Sequence, residues 1–352
     1  MTLDELKNGM HPADEKSMEA AREHWYKVAK PLFSLGKLEE AVIRIAGMKG
    51  TADYRLGKKG LIIMCADNGV VEEGVTQTGQ EVTAIVADNF TKGNTSVCCM
   101  SRVAGVDIFP IDIGMAVDVP SVTRAEDKVM SGTKNFYKEP AMTKEQAWKA
   151  IETGIRTVKK LKEEGYGILA TGEMGIGNTT TSSAVASVLL EKTVPEVTGR
   201  GAGLSSDGLK RKIKVIEEAV EKHQPDKNDP LDVIAKVGGL DIAGLTGVFL
   251  GGALYRIPVL ADGFISSVSA LCAVRLVPTT RDYILPSHVS KEPAGQMLLD
   301  ALGLSPFLTC DMCLGEGSGA VAAIPLIEMG LSVYREMTTF ENENIEQYEV
   351  LK

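Results

Sequence analysis

The sequence predicts an α/β protein built around a buried parallel sheet, and three observations carry that expectation. Apolar runs of strand length recur at 61–66, 106–114, 167–171 and 257–263. Segments with apolar residues at helical spacing alternate with them, as crossover units require. Acidic or glycine-rich residues close the runs, and the carboxyl ends of the strands are where open α/β sheets hold their ligands.

Residues 14–30 carry apolar positions at helical spacing among many charges, and Pro31 ends this amphipathic surface helix. A second helix spans 38–48. The turn Gly57-Lys58-Lys59-Gly60 leads into the first strand, which ends in Asp67-Asn68-Gly69-Val70. Helical spacing returns from 81 to about 100, the next strand carries Asp112 near its end, and 116–142 has loop character. A helix over 143–164 opens on Thr143 with Gln146 three residues on, the spacing of a capping box. The helix after the third strand runs to about residue 190. Another begins near Gly208 and holds Lys210, Arg211, Lys212 and Lys214, a cluster that reads as mostly solvent-facing. Residues 233–237 lead to Gly238-Gly239, a small-residue helix over 243–255 and the strand closing on Asp262-Gly263. A helix with Met297, Leu298 and Leu302 and an apolar helix over 321–330 complete the pattern. No repeat, low-complexity run or linker marks a domain boundary.

The third strand is the most informative. It runs into Gly172-Glu173-Met174-Gly175-Ile176-Gly177-Asn178-Thr179-Thr180, a glycine-rich turn opening a helix. Such a turn points several N–H groups at one anion, and the helix N-terminus adds its partial positive charge. Asn178 and the threonines bring capping groups with spare donors. The same residues also suit a tight strand-to-helix turn with no ligand. A Walker A loop is excluded because no Lys-Ser/Thr follows the last glycine, and the glycine order does not fit the dinucleotide fingerprint.

The chain has 352 residues, 44% of them hydrophobic and 24% charged, with a net charge of −9. This is a soluble globular composition large enough for one large or two ordinary domains. The negative charge argues against nucleic acid as a partner, since a binder needs a basic face. The charged N-terminus lacks an apolar signal core and no apolar run is long enough to span a bilayer, so the expectation is a cytoplasmic protein with no membrane partner. Six cysteines without framework spacing agree with that. Cys310 and Cys313 form a lone CxxC that reads as incidental. No cofactor and no metal is expected.

Two further segments are dense in chemistry. Pro286-Ser287-His288-Val289-Ser290-Lys291-Glu292 carries hydroxyls and a histidine, and Leu314-Gly315-Glu316-Gly317-Ser318-Gly319 sets one carboxylate among three glycines. Glu316 suits a base working near neutrality in an apolar setting. From chemistry alone an acid at a helix N-terminus, where the dipole favours its charge, is the simpler reading.

In order and in register, these motifs resemble the nicotinate-nucleotide:dimethylbenzimidazole phosphoribosyltransferases of cobalamin biosynthesis. The match is carried by Lys30-Pro31 with Ser34-Leu35-Gly36-Lys37-Leu38-Glu39, and by Cys65-Ala66-Asp67 with Gly69-Val70 and Glu72-Glu73-Gly74-Val75. It continues through the glycine turn, Ala235-Lys236-Val237-Gly238-Gly239, Asp262-Gly263-Phe264, Pro286-Ser287-His288 with Ser290, and the Glu316 segment, from about residue 25 to 335. The resemblance implies transfer of the phosphoribosyl group of nicotinate mononucleotide to an aromatic lower-ligand base, giving an α-ribotide and free nicotinate. It implies Glu316 as general base, with Glu173, Met174, Gly175, Ile176, Gly177, Asn178, Thr179, Gly201, Lys212, Asp262 and Ser290 around the nucleotide and its phosphate. The implied acceptor pocket holds Phe33, Asn68, Thr78, Val86 and Leu314. The implied fold is a Rossmann-like parallel sheet flanked by helices over 31–281 and 303–330. To it the resemblance adds a small helical domain from discontinuous terminal segments, 1–30, 282–302 and 331–352, in a homodimer or a heterodimer with a paralogue.

The chain departs from the family around the acceptor. Asn68 stands where His is common, Thr78 and Val86 stand where Ser and Gln are common, and Phe33 where Gly is common. Val86 cannot hydrogen-bond, so the implied acceptor is dimethylbenzimidazole or another benzimidazole, a purine or a phenol. A non-catalytic structural subunit partnering an active paralogue is the alternative, against which the retained Glu316 argues. A nucleotide-binding α/β hydrolase comes last, for want of a metal cluster or a Gly-x-Ser-x-Gly elbow.

Overall fold

The structure, a computed structural model, describes residues 1–349. Helices α1 (Leu3–Gly9), α2 (Glu15–Lys27) and α3 (Lys37–Lys49) precede strand β1 (Lys58–Ala66). Then come α4 (Glu81–Lys92), α5 (Ser96–Ala104), β2 (Asp107–Gly114), α6 (Lys144–Glu163) and β3 (Tyr166–Met174). They are followed by α7 (Asn178–Leu190), the short α8 (Val194–Val197), α9 (Ser206–His223), α10 (Pro230–Val237), α11 (Leu240–Tyr255) and β4 (Val259–Ala261). Helix α12 (Phe264–Leu276), β5 (Ile284–Pro286), α13 (Gly295–Leu302) and α14 (Ser318–Glu336) complete the described chain. None of the described helices is long and apolar enough to cross a membrane.

The five strands form one parallel sheet in the order β2-β1-β3-β4-β5. The inner strands β1, β3 and β4 are buried on both faces, which is why they read as continuous apolar runs rather than alternating ones. Since β1 is flanked by β2 on one side and β3 on the other, the chain reverses direction across the sheet between β1 and β3. Outside their carboxyl ends lies the crevice where this topology seats a ligand.

Local chemistry explains where the elements begin and end. The capping box expected at α6 forms: Thr143 Oγ1 accepts from Gln146 N at 3.2 Å, and Gln146 Oε1 from Thr143 N at 2.9 Å. The single helix expected over 81–100 is two. Gly93, at φ +75°, closes α4 in the left-handed conformation, and Thr95 starts α5 by accepting from Cys98 N. The fourth strand is shorter than expected, because Ile257 N is used to cap α11 on Gly252 O and Pro258 has no N–H to give. Helix α14 continues past the expected residue 330 to Glu336. Helix α1, with its Thr2/Glu5 capping box, and strand β5 are additions.

Strand β5 also bears on the expected division into two units. Residues 284–286 fall in a segment assigned to the small one, yet they pair with β4 in the main sheet. The two ends of the chain do meet: Ala29 N donates to Thr338 O at 2.9 Å and Phe340 N to Lys27 O at 3.0 Å. Residues 350–352 of the expected small unit lie outside the described residues.

Candidate active site

The glycine turn sits at the crevice between β1 and β3. Gly177, at φ +92°, lets the chain leave β3 and enter α7 directly, a conformation a side chain would strain. The turn is tied down from both sides. Ile176 N donates to Thr83 Oγ1 of α4 at 3.1 Å, and Asn68 Nδ2, just past β1, donates to Ile176 O at 3.3 Å. Asn68 is therefore a buried clamp on the glycine turn, and its Oδ1 has no hydrogen-bond partner. Its neighbour Asp67 accepts from Ala116 N, and burial raises its carboxyl above the usual range.

Lys212 reaches this turn from α9. Its side chain is fully buried, and Nζ donates to Thr179 Oγ1 at 2.8 Å and to Gly199 O at 3.2 Å. Desolvation pulls the ammonium down to about 8. The neighbouring Lys210 and Lys214 lie in exposed pairs with Asp207 and Glu218. The charge cluster alone hid this difference, but helical phase reveals it: 212, 215, 216 and 219 are the buried stripe of α9. Gly201, at φ +52°, stands over Thr179, and Ser290 is buried against Gly263 and Gly295.

Glu316 hangs opposite, in the segment that starts α14. It takes a left-handed φ of +60° between Gly315 at +89° and Gly317 at +90°, and its Oε2 accepts from Val97 N at the start of α5 at 3.2 Å. The segment presses onto β3 so closely that a Cβ on Gly172 would lie 2.5 Å from the Glu316 carbonyl oxygen. Asp262 secures it from below. Its Oδ1 accepts from Gly319 N at 2.8 Å and Ala320 N at 3.1 Å, and its Oδ2 from Gly317 N at 3.2 Å. Asp262, expected at the nucleotide site, thus has both oxygens engaged in capping α14, with His288 Nδ1 3.7 Å away. Cys310 and Cys313 are exposed, unbonded thiols just upstream.

Glu173 links the two halves. Its carboxyl is buried, accepts from Asn178 Nδ2 and lies against Gly315 and the Glu316 backbone. Burial, reinforced by the nearby Asp241 and Asp262, pushes it up to about 8. Asp241, at the start of α11, is raised to about 6 by burial and was not foreseen from the sequence. The pH consequence can be measured. A carboxyl whose folded value exceeds its unfolded 4.5 stabilises the fold fully below pH 4.5 and loses that contribution as pH rises through 8. Glu173→Gln, uncharged throughout, is expected to flatten the decline in thermal stability between pH 5 and 9, read from melting curves; a slope equal to wild type refutes the assignment.

The remaining acceptor residues are less tightly gathered. Val86, half-buried, lies one helical turn from Thr83 and so on the face of α4 turned to the glycine loop. Thr78 is exposed in the preceding loop and Leu314 is 54% exposed beside Glu316. Phe33 is not brought to this place. It is 57% exposed at φ +60°, edge-on to Tyr26, and lines a separate cavity of about 810 Å³ between α2, α3 and β5.

A sequence profile for a family described as phosphoribosyltransferase matches residues 10–345. The chain belongs to this family. Among phosphoribosyltransferases it is 49% identical to the nicotinate-nucleotide–dimethylbenzimidazole phosphoribosyltransferase of Ruminiclostridium cellulolyticum, with all of both chains covered. To the enzyme of the same name from Acetivibrio thermocellus it is 47% identical over 95% of each chain. Its fold superposes on the crystal structure of CobT from Thermus thermophilus with a TM-score of 0.89, at 35% identity, covering 95% of this chain and 100% of the other. The glycine turn and the Glu316 segment are thus parts of a phosphoribosyltransferase.

Proposed function

We propose that this phosphoribosyltransferase moves the phosphoribosyl group of nicotinate mononucleotide to an aromatic lower-ligand base. The bond from C1′ to the nicotinate nitrogen breaks and nicotinate leaves with the electron pair. A ring nitrogen or a phenolic oxygen of the acceptor forms the new bond from the opposite face, giving an α-ribotide, and the acceptor's proton passes to Glu316. The observation that carries this reading is the fully buried Lys212 ammonium on Thr179 Oγ1, beside a helix N-terminus at the β1/β3 crevice. A buried cation with no carboxylate within salt-bridge distance among the described residues, set at the first turn of a helix, suits a phosphate dianion. Thr179, Gly201, Ser290 and the backbone from Glu173 to Asn178 complete that half of the site.

The acceptor is a benzimidazole, a purine or a phenol, with dimethylbenzimidazole the first choice from the names of the relatives. Phe33 fits the acceptor side if two copies of the chain associate, the face that bears it meeting the other copy's Glu316 side. The reading therefore includes a homodimer, with a small helical unit drawn from both chain ends and β5 left to the large unit. Six free cysteines suit the reducing cytoplasm.

The test offers nicotinate mononucleotide with dimethylbenzimidazole, benzimidazole, adenine, phenol or p-cresol, one at a time, and follows ribotide and free nicotinate. Product is expected with dimethylbenzimidazole and with at least one other acceptor. No product from any of them overturns the proposal.

A further inference from the structure

Glu292 has no part in the scheme above, yet it shares a peptide with the phosphate lysine. Its backbone N donates to Ser290 Oγ at 3.3 Å, and its Oε2 is closed off from solvent with no hydrogen-bond partner. That oxygen packs on the 199–201 loop so tightly that a Cβ on Gly199 would collide with it. From the other side, Lys212 Nζ donates to the carbonyl of the same Gly199. The carboxylate and the ammonium therefore flank one peptide and feel each other's charge across it. Among the described residues, no other charged side chain bears on Glu292. Arg200, on the loop, turns its guanidinium to Leu204 O and Ser206 Oγ, and His288 faces Asp262 beyond Ser290.

We propose that Glu292 is the standing counter-charge of Lys212 in the empty site, and that it takes up a proton from solvent as the nucleotide's phosphate binds, its carboxyl then donating to a phosphate oxygen. This rests on the phosphoribosyl reading of the site. The physical reason is charge balance. One cation and one anion already face the Gly199 peptide, and an arriving dianion repels the carboxylate at short range while competing for the same ammonium. Neutralising Glu292 removes the repulsion and turns an orphaned acceptor into a donor. Burial holds the Glu292 carboxyl above its usual range, the direction that favours taking up a proton. Without a phosphate the carboxylate keeps Lys212 charged, which keeps the empty site ready for an anion.

The experiment is calorimetric titration of the full chain with nicotinate mononucleotide at pH 6.5, in buffers of different ionisation enthalpy. Lys212 stays charged there, and the substrate's own phosphate contributes equally to every protein compared. Wild type is expected to take up close to one proton more than Glu292→Gln. Glu292→Asp is expected to restore part of the difference, and nicotinate riboside, lacking the phosphate, to show none. Raising the pH should weaken binding to Glu292→Gln earlier than to wild type, since Lys212 has lost its counter-charge. Equal proton uptake by wild type and Glu292→Gln, with binding intact, overturns this inference alone. A chain that does not bind nicotinate mononucleotide at all overturns the phosphoribosyl reading, and this inference with it.

Discussion

Glu316→Gln is expected to lower turnover by about 10²- to 10⁴-fold, the usual worth of a positioned general base, while nicotinate mononucleotide binds within about threefold of wild type. The substitution is chosen to leave the segment in place. Gln keeps an oxygen to accept from Val97 N, and the anchoring by Asp262 of Gly317, Gly319 and Ala320 does not involve the side chain. What is lost is the ability to take a proton from the acceptor. Nicotinate release gives the rate and calorimetry with the nucleotide alone gives the affinity. A variant with near-normal rate shows that another group takes the proton, and Glu173 is then the carboxylate to test. A variant that loses nucleotide affinity instead shows that Glu316 belongs to the donor half.

Lys212→Met acts on the other half. It keeps the length and apolar stem of a fully buried side chain and removes only the ammonium. Hydrogen bonds to charged groups are worth roughly 1.5–3 kcal/mol, so KM for nicotinate mononucleotide is expected to rise about 10- to 100-fold with a smaller effect on kcat. Wild-type affinity should also fall as pH rises through about 8, where Lys212 loses its proton, and the variant should lack that limb. Stability runs the opposite way. A lysine whose folded value lies below its unfolded 10.5 burdens the fold as pH falls through 8, and that burden lifts between 8 and 10.5. The empty wild type should therefore gain thermal stability over that interval, and Lys212→Met should not. Normal KM in the variant removes Lys212 from the phosphate site.

The sheet was legible because strands buried on both faces leave long apolar runs, and β1, β2 and β3 are long enough to stand out. Strand β5, three residues long, has no period to detect. The α4/α5 break escaped because Gly93 and Thr95, a cap and a start two residues apart, interrupt a spacing that otherwise continues. In the site, glycine motifs announced themselves, since close approach leaves glycine no substitute. Residues whose meaning depends on distant partners did not. Asp262 read as a ligand group at a strand end, and its part in capping α14 gave no sign, because Gly317 to Ala320, more than fifty residues on, fold back onto it. Glu292 gave no signal at all, since its partner is a peptide nearly a hundred residues earlier in the chain.

The left-handed backbone at Glu316 has an evolutionary consequence. Three successive residues with positive φ favour glycine, and two of them are glycine. An L-side chain in that region costs about 1 kcal/mol, so the protein carries at this position a glutamate that folding disfavours. With Glu316 as the proposed base, folding and chemistry pull the same codon in opposite directions. In a copy of the gene released from its reaction, position 316 would be among the first to drift, and drift towards glycine there would leave a sound fold with a silent site.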